Sequence, residues 1–178
     1  AIRPGENQAA ARAIVSHLDT LGAQVKRVKE NGRLELVPIG HWSARFAEGG
    51  RLTVYGDNIQ ARGTCLSLKT SGHAFGDQVD SQPSSWDNVE VRVDLPVRNA
   101  SDLEGVGINV GDWISFVPGL EMVPGGYING RYLDDKAAVA ALLTACKAIS
   151  DGGLKLPVDA HPLFTITEEV GSGASAAL

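Results

Sequence analysis

The feature that most constrains this chain is a change of texture that occurs twice along its length. From about Gln24 to Val117, short alternating segments are broken by Gly, Pro, Asn and Asp. After Pro118 apolar residues recur at helical spacing instead. A period of two sets side chains on opposite faces of a strand, and a period near 3.6 lines them along one helix face. The clearest alternation is over residues 88–95, with Val89, Val91, Val93 and Leu95 on one face and Glu90, Arg92 and Asp94 on the other. Residues 33–37, 51–55 and 112–117 read the same way. Many short strands with turn signals and no helical period predict a small β-barrel or sandwich.

The flanking stretches differ. Residues 12–17 (RAIVSH) are a compact apolar run, as expected of a buried strand. Residues 127–133 read as a strand, and residues 135–149 as a helix through Val139, Leu142, Leu143, Cys146 and Ile149, ended by Gly152-Gly153. Residues 162–167 (PLFTIT) read as a second buried strand, and residues 171–178 as the start of another helix. Strand, helix, strand, helix implies parallel strands joined by a crossover. The expected class is α/β, with residues 1–21 and 119–178 forming one domain and residues 22–118 an inserted β domain.

With 178 residues the chain is roughly 1.2 typical domains long. A net charge of −5 with scattered carboxylates argues against nucleic acid or an anionic membrane as partner. The longest apolar run, near residues 137–145, is too short to span a bilayer. Two cysteines, Cys65 and Cys146, in no CxxC spacing fit a reducing compartment, so a cytoplasmic protein without an export leader is expected. The lack of an initiator Met and the small-residue ending predict that the sequence is part of a longer polypeptide.

Ligands of open parallel sheets gather beyond the carboxyl ends of the strands. Three clusters stand at those ends: His17 and Asp19, Asp134-Asp135, and Glu168-Glu169. Singly, each has a structural reading: an exposed histidine, a helix N-cap with a first-turn acid, and anions near a helix N-terminus. Together they describe a pocket whose carboxylates would repel unless a cation intervened. His plus carboxylate ligands suit zinc, manganese or cobalt. Two ions about 3.5–4 Å apart would account for the excess of acids. Spacing of i, i+2 lets Asp19 support the second ring nitrogen of His17. His41, His73 and His161 read as surface or structural residues, the tryptophans as core or interface, and Lys136 as solvated or substrate-facing.

At these clusters the sequence resembles the di-metal aminopeptidases of the tetrahedral type, also known as glutamyl or deblocking aminopeptidases and as endoglucanase-M. The resemblance rests on AIVSHLDTLG (residues 13–22), RYLDDKAAVAALL (131–143) and FTITEEVG (164–171), in that order with a β insert between the first two. It implies a partial phosphorylase/hydrolase-like catalytic domain interrupted by a PDZ-like barrel. It also implies hydrolysis of N-terminal residues from peptides by a metal-activated water. His17, Asp134 and Glu169 would be metal ligands, Asp134 bridging two ions, zinc first with cobalt or manganese as alternatives. Glu168 would be the general base and Asp19 would support His17; the Asp134–Asp135 bond is often cis in such proteins. The barrel would form a homodimer, and dimers would build a dodecamer.

Two departures accompany the resemblance. Thr20 stands where the family often has an acid, and the further carboxylate and His that complete the site would lie beyond Leu178, so this stretch alone is expected to be inactive. A di-metal deacylase or carboxypeptidase keeps the same metals with a different substrate. A non-catalytic assembly subunit built around the barrel is the alternative of another class. A glycosidase is disfavoured because adjacent Glu168 and Glu169 would point to opposite sides of a strand, whereas two carboxylates must face each other across a sugar.

Overall fold

A computed structural model describes residues 11–176. Leu21–Pro118 form one compact unit, and the described residues on either side of it form the other.

Six strands close the first unit into an antiparallel barrel. They are β2 (Gly22–Val28), β3 (Leu34–Ile39), β4 (Arg51–Tyr55), β5 (Gln60–Ser67), β6 (Val89–Val93) and β7 (Trp113–Phe116), in the order β2-β3-β6-β5-β4-β7. Closure removes the sheet edges, and the alternation seen in the sequence becomes inside and outside. On β6, Val89, Val91 and Val93 are buried while Arg92 is exposed. Leu34, Leu36, Leu52, Val54, Ile114 and Phe116 fill the interior with them. Trp42 packs edge-on against Trp86 at 4.8 Å and Phe116 at 5.1 Å, and its Nε1–H donates to the Gly22 carbonyl at 3.0 Å. Trp113, by contrast, is an exposed side chain.

Two features of the barrel lie outside the sequence expectation. β5 carries Gly63 and Cys65 in its middle, which blurs its pattern. A Cβ on Gly63 would stand 2.8 Å from the Arg92 carbonyl, so this strand crossing requires glycine. Three short helices also occupy the connections: α1 (Gly72–Phe75), α2 (Gln78–Ser81) and α3 (Ala100–Gly105). They are too short to show a helical period.

In the second unit β1 (Arg12–His17) pairs in parallel with β10 (Ala160–Thr165), in register from Arg12 with Ala160 to His17 with Thr165. The strand expected over residues 127–133 is shorter and differently placed. β9 (Tyr127–Asn129) pairs antiparallel with β8 (Glu121–Val123), so it is a hairpin arm and not a parallel neighbour of β10. Gly125 and Gly126, at φ 103° and 84°, make the tight connection that side chains would resist. Helix α4 (Leu133–Asp151) follows, with Gly152 and Gly153 after its end.

Along α4 the half-buried positions are Asp135, Val139, Leu142, Cys146 and Ile149, a stripe with steps of four and three. This helix packs on β1. Burial is nevertheless light: β1 and β10 were expected to be buried strands, yet Ile14 and Val15 on β1 and Phe164 on β10 are exposed, and α4 has no fully buried residue. Among the described residues these two strands form a sheet of two, which leaves much of each face uncovered. Where a helix was expected over residues 171–178, a single 3-10 turn (Gly173–Ala176) stands, and residues 177 and 178 lie outside the described residues. No helix among the described residues is long and apolar enough to cross a membrane.

Candidate metal centre

The parallel register places the ends of β1 and β10 side by side. The Leu18 N–H donates to the Thr165 carbonyl at 2.8 Å, one residue past the last pair. Residues leaving both strands therefore emerge together at their carboxyl ends. His17 is the last residue of β1 and is buried, with Ser16 and Thr165 buried beside it.

Helix α4 brings the second cluster to the same place. The His17 backbone N–H donates to Asp135 Oδ2 at 3.1 Å, and His17 Nε2 lies 3.1 Å from Asp134 Oδ1. Neither aspartate has helical backbone angles (Asp134 φ −83°, ψ 108°; Asp135 φ −114°, ψ 24°), so regular helix begins only at Lys136. The Asp134–Asp135 peptide bond is cis. Lys136 Nζ donates to the Leu18 carbonyl, which ties the first helical residue to the end of β1.

The third cluster sits in a 3-10 turn (Glu168–Val170) directly after β10. Glu168 Oε2 is 3.7 Å from His17 Nε2. The Glu169 backbone N–H donates to Asp19 Oδ2 at 3.0 Å. Gly173 makes this turn compact, because a Cβ there would meet Glu168 Cα and Cβ at 3.0 Å.

The structure thus brings together the three clusters singled out in the sequence, and with them the five residues given roles there: His17, Asp19, Asp134, Glu168 and Glu169. Asp19 does so differently from the expectation. His17 Nδ1 meets the Asp19 backbone carbonyl at 3.1 Å, while the nearest carboxylate oxygen, Oδ1, is at 3.6 Å. The other carboxylate oxygen holds the Glu168–Glu169 turn. His41, His73 and His161 are exposed, as expected of surface residues.

The electrostatics follow from this crowding. Burial opposes protonation of His17, but the Asp134 hydrogen bond, the Asp19 carbonyl and the charges of Glu168 and Asp19 outweigh it and raise its pKa above the usual value. Burial also raises Glu169, and repulsion from Asp134, Glu168 and Asp19 adds to this against the attraction of His17. Asp19 moves the other way: backbone N–H groups of Glu169 and Glu168 overcome the cost of its burial and hold its carboxyl below the ordinary range.

Two residues that sequence reasoning passed over also mark the site. Among the described residues, Tyr132 (φ 67°) and Thr167 (φ 70°) are the non-glycine residues in the left-handed region. One precedes Asp134 by two positions and the other directly precedes Glu168. Such conformations cost on the order of 1–3 kcal/mol and cluster at functional sites. No composition or spacing signal announces them.

Among the described residues no group of three or more His, Cys, Asp or Glu side chains is gathered tightly enough to hold a metal ion by itself. The donor chemistry nevertheless fits one. Two ligands of a tetrahedral zinc, each about 2.0–2.1 Å from it, stand roughly 3.3 Å apart. The 3.1 Å separation of His17 Nε2 and Asp134 Oδ1 is close to that. An imidazole with carboxylates is a donor set for zinc, cobalt or manganese.

Known proteins are similar to this chain in sequence or in fold. A Bacillus subtilis (strain 168) protein named "Putative aminopeptidase YhfE" is 37% identical over 173 residues, covering 97% of this chain and 50% of its own length. Aminopeptidase APDkam598 from the archaeon Desulfurococcus kamchatkensis has the same fold, with a TM-score of 0.83 at 24% identity over 98% of this chain and 46% of its own. So does the Pyrococcus horikoshii TET1 peptidase, described as assembling into a tetrahedron or a large octahedral shell. Its TM-score is 0.77 at 21% identity, over 94% of this chain and 48% of its own. The chain spans about half the length of the relatives it matches. The family model for M42 glutamyl aminopeptidase matches residues 1–178, and the chain belongs to that family.

Proposed function

We propose that the protein carrying this chain is a metal-dependent aminopeptidase that hydrolyses N-terminal residues from peptides. The observation that carries the reading is the approach of Asp134 (3.1 Å) and Glu168 (3.7 Å) to His17 Nε2 at the carboxyl ends of two parallel strands, in a chain of this family. His17, Asp134 and Glu169 are the ligands we assign to two divalent ions, zinc first with cobalt or manganese as alternatives, completed by groups outside the sequence described. When bound, the ions would supply Lewis acidity to the peptide carbonyl and a positive field for attacking water.

The chain's own residues do the rest. Glu168 is exposed enough to meet a substrate, and it takes the proton of the attacking water at its carboxylate and returns it to the leaving amine. Asp19 positions the site, holding the turn that carries both glutamates by accepting the Glu169 N–H. The Asp19 carbonyl orients the His17 ring through Nδ1, which presents Nε2 as the ligand atom.

We read the barrel as a PDZ-like domain and the flanking unit as part of a phosphorylase/hydrolase-like domain. In this reading the barrel makes a homodimer, and dimers assemble into a dodecamer; the shells of the Pyrococcus horikoshii peptidase support it. Free thiols at Cys65 and Cys146 support a cytoplasmic location. Hydrolysis of free-amine peptides beside their N-acetylated counterparts tests the substrate. Cleavage of the free-amine peptides, lost on chelation and restored by zinc, is expected. Cleavage of acylated peptides alone would make the protein a deacylase. No chelator-sensitive activity on either would leave an assembly subunit.

A further inference from the structure

The barrel carries a patch whose charge opposes the chain's net −5. The outer face of β6 presents Glu90 and Arg92, and Asp94 follows directly after the strand. Lys29 Nζ lies 2.7 Å from Glu90 Oε2, and Arg33 Nε lies 3.8 Å from Glu90 Oε1. Arg51 pairs with Asp94, and Arg62 and Arg92 are also close enough to act on that carboxylate. Five cations thus surround two carboxylates. Glu35, on neighbouring β3, is already engaged by Arg27.

A cleft of about 460 Å³ opens in this patch, lined by Asn31, Gly32, Arg33, Arg92, Asp94 and Val97 among others. Arg33 Nη1 is buried and has no hydrogen-bond partner among the described residues. A buried donor left unmade is costly, and a guanidinium donor more so. Guanidinium groups meet two oxygens of one anion in a matched fork, which a point-charge lysine does not do. The volume suits a small anion or the acidic end of a larger ligand, while the chain's overall negative charge disfavours a polyanion. Asp94, the carboxylate on the wall, is hydrogen-bonded by Arg51, so Arg92 acts on it through charge and no hydrogen bond joins the two side chains.

We propose that this cleft is a binding site for a small oxyanion, a carboxylate or phosphoryl group gripped by Arg33 and Arg92. The site lies within the barrel and does not depend on the metal centre. The test is calorimetric titration of the intact protein with inorganic phosphate and, separately, with glutarate. The protein is first stripped of metal and dialysed free of chelator, and ionic strength is held near 0.15 M. Saturable binding of at least one probe is expected, phosphate alone identifying a phosphoryl site and glutarate alone a carboxylate site. Arg92→Ala, at an exposed position, and Arg33→Lys, which keeps the charge but removes the fork, should each weaken binding about tenfold or more. Absence of saturable binding by either probe, or wild-type binding in either variant, would overturn the proposal.

Discussion

The barrel and the α/β unit are built on opposite plans. Every buried hydrophobic residue among those described lies in the barrel, from Ala23 to Phe116. The residues identified as buried in the α/β unit include Ser16, His17 and Thr165, all polar and all beside the candidate metal centre. Closed strands and an apolar interior hold the first region; a hydrogen-bonded polar cluster organises the second. The contrast teaches that stability and chemistry are carried by different stretches of one chain, so substitutions should separate them.

The sharpest separation is expected at Glu168. Glu168→Gln keeps shape and removes the proposed base, and on the proposed function should lower kcat by about 10²–10⁴-fold with little change in unfolding midpoint. Peptide hydrolysis and denaturation, measured on one preparation, read both. Phe116→Ala should do the reverse, costing about 3–5 kcal/mol of barrel stability by leaving a cavity, as denaturant unfolding would report. Trp42→Phe keeps most of the packing against Phe116 and Trp86 but loses the donor to Gly22, an expected cost of about 1 kcal/mol by the same assay. The smallest effect belongs to Leu143→Ala on exposed α4, within about 0.5 kcal/mol. A cost of several kcal/mol there would break the contrast, since it would mean that this face of the helix is covered in solution.

Local pattern made part of this legible. Alternation over β6 shows on its own which residues face the barrel interior, because neighbouring side chains on a strand point opposite ways. The apolar stripe of α4 is equally direct, although Leu143, counted with it, turns outward. The pattern was blind where glycine decides the path. Gly63 masked β5, and Gly125 with Gly126 folded the chain back, so that a segment read as a parallel strand became a hairpin arm.

The candidate site was legible as a list of acids at strand ends but not as a geometry. Pairing of β1 with β10 spans most of the chain, and no local period reports it. The Asp19 role shows the same limit. Spacing of i, i+2 placed its carboxylate near the imidazole, whereas the backbone carbonyl makes the closer contact and the carboxylate reaches across to the Glu169 N–H. The left-handed Tyr132 and Thr167 are set by the turns around the acids, and neither residue type advertises that conformation.

The claim at the centre of this account is that the ends of β1 and β10 and the start of α4 form one metal-holding site. Zinc content of the intact protein after equilibrium dialysis, measured beside Asp134→Ala, tests it most directly. Bound zinc in the native protein, with affinity reduced at least about tenfold in the variant, is the predicted result. Zinc retained equally by Asp134→Ala, or no binding of any divalent ion by the native protein, would contradict it.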